Sequence, residues 1–179
     1  KYPRGRVLGG TSSINGMVYI RGEARDYNGW RQQGNSVWSW DDVLPYFKRT
    51  ESHWSGAGEF HGGDGPVGIT RMDGPDLLWE EHRAAAELMG IPYQDDPNGA
   101  EQDGVSYMQY TIKDGVRHST AAAYLKDVTD HPNLRVVLRA HARRLLFEGT
   151  RCIGVEWSRD GALEHRHAGE VIVCGGTIG

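Results

Sequence analysis

The sequence predicts a mixed α/β fold, and three features of the 179-residue chain support it. Two segments before residue 90 carry helix start or stop signals. After residue 131, short apolar segments follow one another with turn residues between them, which is typical of antiparallel strands. The last apolar segment, 171–174, is typical of a fully buried strand, more often a parallel one.

The first predicted helix begins at Ser39, because Asp42 follows three residues later in a pattern that resembles a capping box. It should run to about Ser52, with Pro45 either tolerated near the first turns or marking a kink. Residues 5–22 precede it as a glycine- and hydroxyl-rich loop that leads into an apolar stretch.

The second predicted helix spans about 76–89, where apolar residues recur on one side. Gly90 suits the C′ position, and Pro92 prevents the helix from continuing. Around this helix we expect a small strand at 67–70 and an alternating, aromatic strand at 105–112.

Ser119 can cap a short helix through residues 121–125. The texture of the sequence then changes, and Glu148-Gly149 and Asp160-Gly161 are turn signals. We predict strands on either side of these turns and ahead of them, at 134–138, 144–147, 152–157 and 163–167.

Composition and charge exclude several classes of protein. The hydrophobic share is 38%, which is compatible with a globular fold, and the net charge of −4 argues against a dedicated nucleic-acid binder. No apolar run approaches the roughly 20 residues of a membrane-spanning helix. Cys152 and Cys174 lie in predicted strands, where we expect buried free thiols and a reducing compartment. We therefore expect a cytoplasmic protein and leave peripheral membrane association open.

The segment with the clearest chemical character is residues 5–15. The pair Gly9-Gly10 lets the backbone approach a ligand, and the hydroxyls at 11–13 and the Asn15 amide add polar groups. This pattern is typical of a loop that binds a phosphate or a planar cofactor, although an ordinary glycine-rich turn fits the spacing equally well. Neither a Walker A motif nor a nucleophile elbow is present.

Residues 5–27 resemble the first signature of the glucose–methanol–choline (GMC) family of FAD-dependent oxidoreductases. The shared residues are Gly9, Gly10, Thr11, Ser12, Ser13, Asn15, Tyr19, Gly22 and Asp26. Further segments resemble choline-dehydrogenase-like members of that family in the same order, and these are 38–49, 98–104, 115–120, 123–125 and 171–176.

The resemblance implies a two-domain flavoenzyme of which this chain is a central fragment. One domain would bind FAD on a Rossmann-like sheet with a β-meander, and the other would cover the flavin with an antiparallel sheet. Residues 1–35 and 131–179 would belong to the FAD domain, and 36–130 to the substrate domain. The pyrophosphate-binding motif would precede the chain and the catalytic histidine would follow it, so none of the eight histidines here is assigned that role.

The resemblance also implies cofactor contacts. Gly9, Gly10 and Thr11 would lie along the FAD pyrophosphate and ribityl chain. The residues that would face the isoalloxazine, mainly through backbone donors, are Asn15, Gly16, Met17 and Val18. Ala142 stands where the family usually has a valine whose backbone meets the adenine. Ile14 stands where some relatives carry a histidine joined covalently to the flavin, so we expect non-covalent FAD.

The implied reaction is oxidation of a small-molecule alcohol to an aldehyde or ketone by hydride transfer to flavin N5, with oxygen or a quinone as the electron acceptor. A histidine outside the chain would take the hydroxyl proton. The chain alone should be inactive and should fold poorly. Two rival functions remain open, a hydroxynitrile lyase of the same fold and a carbohydrate-binding module.

Other polar clusters favour ordinary surface roles, and we predict no metal site. His165 and His167 share one face of a predicted strand, and a solvated face is favoured there over a metal pair. A basic cluster that includes Arg139 and Arg144 could meet cofactor phosphates, although a charged strand edge is favoured. Trp38, Trp40 and Trp54 are typical of core or lid packing.

Overall fold

The computed structural model describes residues 2–72 and 77–176. The chain divides into two compact units, Lys1–Asp130 and His131–Gly179. None of the helices in the described ranges has the length and apolar character that a membrane-spanning helix needs. The assignment of 1–35, 36–130 and 131–179 to FAD and substrate domains stays a prediction.

The first unit contains three helices and two small sheets among its described residues. Its elements are α1 (Ala24–Gln32), α2 (Trp40–Thr50), β1 (Glu51–His53), β2 (Val67–Arg71), α3 (Leu77–Leu88), β3 (Gln109–Tyr110), β4 (Ile112–Lys113) and β5 (Val116–Arg117). A 3₁₀ turn covers Gly10–Ser13, and a single π-helical turn covers Ala121–Leu125.

Helix α2 confirms the predicted capping box. The Ser39 side chain accepts a hydrogen bond from the Asp42 N–H at 3.4 Å, and the Asp42 carboxylate accepts from the Ser39 N–H at 3.0 Å. The hydrogen bonds from Ser39 lower the pKa of Asp42. The helix ends at Thr50, earlier than predicted, because Glu51–His53 forms strand β1.

Helix α3 confirms the second predicted helix and its C′ glycine. Gly90 has φ 78°, and the Ile91 N–H closes the end of the helix by bonding to the Ala86 carbonyl at 2.9 Å. The predicted start at Asp76 lies outside the described residues. Helix α1 was not predicted, although its first turn carries a capping box between Glu23 and Asp26.

The strands of the first unit are short. β1 pairs in parallel with β2, and β2 pairs antiparallel with β3, which confirms the strand predicted at 67–70. The strand predicted at 105–112 is formed only in part, as β3 and β4. β4 and β5 form a hairpin, and its turn residues Asp114 and Gly115 have φ 51° and 75°, as a type I′ turn requires.

The second unit is a meander of β6 (His141–Glu148), β7 (Arg151–Arg159) and β8 (Ala162–His167). These strands confirm the predictions at 144–147, 152–157 and 163–167. Glu156 on β7 is buried and accepts hydrogen bonds from Arg144 at 3.0 Å and from His165 at 2.8 Å. One carboxylate therefore links side chains of all three strands, in addition to the backbone pairing.

Two predicted strands are wrong for this structure. Residues 134–138 and 171–174 have no strand pairing, and Ile172 and Val173 are exposed. Apolar pattern alone does not make a strand, because its N–H and C=O groups need a neighbouring strand, and no described segment pairs with either one. Cys174 is consequently exposed rather than buried, Cys152 is half-buried, and both are free thiols.

The cap of α2 supplies a stability prediction. Ser39→Ala removes the side-chain acceptor for the Asp42 N–H and should lower the free energy of unfolding by about 1 kcal/mol. Urea unfolding followed by circular dichroism measures this loss. Ser36→Ala is the matched control, since Ser36 is exposed and lies ahead of the helix. Equal effects of the two changes would contradict the capping role.

Candidate functional site

The glycine-rich loop is held in a turn by hydrogen bonds within the loop itself. Gly9 and Gly10 both have positive φ, 85° and 56°, and lead into the 3₁₀ turn. The Ser12 and Ser13 hydroxyls donate to the carbonyls of Gly9 and Leu8 at 2.5 and 2.7 Å. These two hydroxyls, considered as ligand donors in the sequence, are used to hold the turn.

The glycines of the loop fall into two groups. A Cβ on Gly9 would lie 2.5 Å from Ser13 Oγ and 3.1 Å from the Cβ of Ala121, so the protein itself requires glycine there. A Cβ on Gly5 would collide with the Gly10 carbonyl. A Cβ on Gly10 or Gly16 would meet nothing within 4 Å. These last two positions therefore face open space.

The loop after Asn15 presents two unused backbone donors. Met17 O accepts from the Thr111 N–H at 2.8 Å, and the Tyr19 N–H donates to Gln109 O at 2.8 Å. This pattern makes Val18 and Tyr110 a non-hydrogen-bonded antiparallel pair, whose own N–H groups turn away from each other. The N–H groups of Gly16 and Val18 have no hydrogen-bond partner among residues 2–72 and 77–176.

Met17 adopts an unusual backbone conformation between these donors. Its φ is 64°, which is rare for a residue with a side chain. The Asn15 carboxamide oxygen accepts the Met17 N–H at 3.1 Å and so supports this conformation. Asn15 thus shapes the backbone of the loop with its side chain.

A buried ionic cluster begins with Tyr19 and Arg21, the residues that follow the loop. Its centre is Glu51, which is fully buried and forms an ion pair with Arg21. The same carboxylate accepts hydrogen bonds from Tyr19 Oη at 2.8 Å, from the Gly62 N–H at 2.9 Å and from His61 Nδ1 at 3.0 Å. Burial opposes ionisation, but the hydrogen bonds from His61 and Arg21 outweigh it and lower the pKa of Glu51 to about 2.

His61 connects Glu51 to a second carboxylate. Its Nε2 lies 2.6 Å from Asp96 Oδ2, so both ring nitrogens face carboxylate oxygens and the ring is held as an imidazolium. Burial lowers the pKa of His61, but the hydrogen bonds to Asp96 and Glu51 reverse this effect and raise it above the usual value. Burial likewise opposes ionisation of Asp96, and the bond from His61 lowers its pKa to about 2.

His53 stacks on His61 at 3.6 Å between ring centroids with an interplanar angle of 11°. Burial and the neighbouring positive charge lower the pKa of His53 to about 4, so this ring is neutral. His53, His61 and Asp96 bring their ligand atoms within 4.8 Å of one another, as metal ligands would be. Parallel stacked rings direct their lone pairs in parallel, however, and cannot both aim at one ion. The group is an ion-paired core.

Two amides link the ionic cluster to the exit of the loop. Asn98 Oδ1 accepts from the Arg21 N–H at 2.7 Å, and Asn98 Nδ2 donates to Gln109 Oε1 at 2.7 Å and to Tyr19 O at 3.2 Å. Gln109 Nε2 donates to Asp96 Oδ1 at 2.9 Å. Both amides are fully buried, so residues 19–21 are fixed by hydrogen bonds whose loss would leave buried polar groups unpaired.

Seven of the eight predicted site residues lie in one loop, and their cofactor roles stay predictions. Residues 9–11 and 15–18 form one continuous loop in the first unit. Ala142 lies on β6 of the second unit, opposite Trp157. The ionic cluster was not predicted, because its residues come from three separate segments, 19–21, 51–62 and 96, and follow no period.

A family model and curated relatives match this chain over almost its whole length. The family model "GMC oxidoreductase" matches residues 1–179. Mitochondrial choline dehydrogenase of Mus musculus is 44% identical over 99% of this chain and 30% of its own length, and the oxygen-dependent choline dehydrogenase of Photobacterium profundum is 42% identical over 99% and 32%. The chain thus spans about a third of the length of these relatives.

Solved structures give the same result. Pyridoxine 4-oxidase from Mesorbium loti superposes with a TM-score of 0.90 over 97% of this chain and 35% of that one, at 31% identity. An FAD-dependent oxidoreductase from Chaetomium thermophilum superposes with a TM-score of 0.85 over 93% and 31%, at 28% identity. The predicted α/β class and its FAD-binding type of fold are confirmed.

The ionic cluster predicts a large mutational effect. Glu51→Gln leaves Arg21 and His61 buried with less counter-charge and should cost about 3–5 kcal/mol of unfolding free energy. Denaturant titration of the purified protein measures the loss. Glu87→Gln removes an exposed partner of Arg83 and serves as the control, with a cost below about 1 kcal/mol. Similar costs for both variants would contradict the central position of Glu51.

The His61 imidazolium predicts a pH dependence with a definite sign. A raised folded-state pKa stabilises the protein fully below the unfolded-state value near 6.5, and this stabilisation is lost as the pH rises through the folded-state pKa. The difference in unfolding free energy between the protein and its His61→Gln variant should therefore be largest below pH 6.5 and shrink towards alkaline pH. Urea midpoints from pH 6 to 9 measure it, and a difference that grows with pH would refute the assignment.

Proposed function

Because the chain belongs to the GMC oxidoreductase family, we propose that it forms the flavin-contacting part of an FAD-dependent enzyme that oxidises a small-molecule alcohol. The observation that carries this proposal is the loop at 9–18, which exposes backbone donors beside glycines whose Cβ positions are open. The activity belongs to a longer protein, since the chain spans about 30% of the relatives' length.

The loop residues fit an FAD molecule. Gly10 and Gly16 leave room for a flat or extended ligand against the main chain, and the Gly16 and Val18 N–H groups are free to donate. We assign Gly9, Gly10 and Thr11 to the pyrophosphate and ribityl side, and residues 15–18 to the ring side. Bound there, FAD would supply the hydride acceptor at N5, and donors from the loop would favour its electron-rich form. Ala142 is proposed as a backbone contact of the adenine.

We assign the proton of the substrate hydroxyl to a base outside this chain, as the family resemblance implies, and the best-placed histidines here are engaged elsewhere. The two most buried histidines, His53 and His61, are 4% and 6% exposed and packed in the ionic core, where no substrate can touch them. His165 is engaged with Glu156. The choline dehydrogenase relatives favour a small alcohol as the substrate. Either oxygen or a quinone fits as the electron acceptor.

Anaerobic addition of an alcohol to the complete enzyme tests the proposal. Choline is the first alcohol to use, in a panel with other primary alcohols, and bleaching of the visible flavin absorption is the expected result. A flavin that stays oxidised while a hydroxynitrile is cleaved would identify a lyase. Glycan binding by a flavin-free protein would identify a carbohydrate module. Either outcome would refute alcohol oxidation.

The side chain of Ile14 predicts how FAD is held. Isoleucine has no nucleophilic atom, so we expect FAD to be bound without a covalent link at this position. Acid precipitation of the complete enzyme should release the flavin into the supernatant, where its absorption is measured. Apoprotein precipitated after brief mixing with FAD sets the background. Flavin that remains with the pellet above that background would contradict this expectation.

A further inference from the structure

The hairpin β4–β5 carries Arg117, whose guanidinium group contacts the glycine-rich loop. Arg117 Nη1 donates to Ser12 O at 3.1 Å and to Asn15 Oδ1 at 2.8 Å. Asn15 Oδ1 is the same atom that accepts the Met17 N–H. One guanidinium nitrogen therefore holds both the end of the 3₁₀ turn and the side chain that supports the positive φ of Met17.

Backbone pairing and neighbouring hydrogen bonds fix the position of Arg117. Pairing of Val116 with Lys113 and of Arg117 with Ile112 fixes the hairpin, and its type I′ turn sets the register. Three residues later, the Thr120 N–H donates to Ser12 Oγ at 3.0 Å and Thr120 Oγ1 donates to Gly9 O at 3.2 Å. Arg117 and Thr120 thus form hydrogen bonds to the loop at Gly9, Ser12 and Asn15.

From this geometry we infer that Arg117 is a positioning residue for FAD binding, an inference that rests on the proposed function. It acts through Asn15 and Met17, whose conformation leaves the Gly16 and Val18 N–H groups without a partner in the described residues. Without Arg117, the Asn15 carboxamide loses its charged partner and can rotate, and the conformation of Met17 loses its support. The loop would then have to be ordered when FAD binds, which weakens affinity.

The test measures the FAD dissociation constant of apoprotein prepared from the complete enzyme, by quenching of flavin fluorescence. Arg117→Gln should raise the constant about tenfold, since hydrogen bonds to a charged group are among the stronger ones. Arg117→Lys keeps a cation with several donors and should restore most of the affinity. Lys113→Gln is the matched control, because it removes a positive charge from the same hairpin at an exposed site without hydrogen bonds to the loop.

A double-mutant cycle separates positioning through Asn15 from a general effect on folding. Asn15→Ala alone should raise the dissociation constant, and adding Arg117→Gln should raise it little further. Additive effects, an Arg117→Lys variant as weak as Arg117→Gln, or equal effects of Arg117→Gln and Lys113→Gln would each overturn the inference. If Arg117→Gln does not fold, an unchanged constant in the folded Asn15→Ala variant overturns it. A parent enzyme that binds no FAD would instead refute the proposed function itself.

Discussion

The ion pair between Arg21 and Glu51 is the interaction on which the first unit depends. Both side chains are almost fully withdrawn from water, and neither could be ionised there alone. The pairing requires α2 to end at Thr50, so that Glu51 enters β1, and it requires the chain to return at Gly62 to donate its N–H to the same carboxylate. The segments that contain Arg21, Glu51 and Gly62 thereby meet at the Glu51 carboxylate.

The remaining charges of the core follow from this pair. Glu51 and Asp96 supply two negative charges, and Arg21 with a protonated His61 supplies two positive ones. A neutral His61 could donate to only one of its two carboxylates, so the balance of charge and of hydrogen bonds selects the imidazolium. His53 must then be neutral, since it stacks on that charge without a carboxylate of its own. Burial thus leaves one of the two stacked rings, His61, charged and the other, His53, neutral.

Sequence reasoning predicted the parts of this unit that depend on neighbouring residues. The Ser39 cap and the Gly90 stop are local devices, and both helices formed where those signals indicated. Gly9 and Gly10 form a turn with positive φ, which fits both alternatives that the sequence leaves open for this pair, so its ligand role stays a prediction. Strands that depend on distant partners were less predictable, as 171–174 shows, since their apolar character says nothing about what pairs with them.

The candidate site was predictable only along its own loop. Residues 9–18 are contiguous and carry a recognisable pattern, whereas their supports come from Arg117, Thr120 and the core at residues 19–21, 51, 61, 96 and 98. A buried arginine cannot be distinguished from a surface arginine by spacing, because the partners that make its burial tolerable lie elsewhere in the chain. Segment 115–120 resembles the family, but the contact of Arg117 could not be predicted from it, since its partner Asn15 lies 102 residues earlier in the chain.

The chain's own packing accounts for some glycines of the loop and not for others. Gly5 and Gly9 are required by the chain's own packing, while Gly10 and Gly16 have free space where a Cβ would stand. A substitution in the first group should disturb the turn whether or not a ligand is present. At Gly16, whose φ lies outside the left-handed region, a methyl group would instead occupy the space that a ligand would need. Glycine-to-alanine changes at Gly9 and Gly16 should therefore act on two different equilibria, the folding of the loop and its proposed association with a flat ligand.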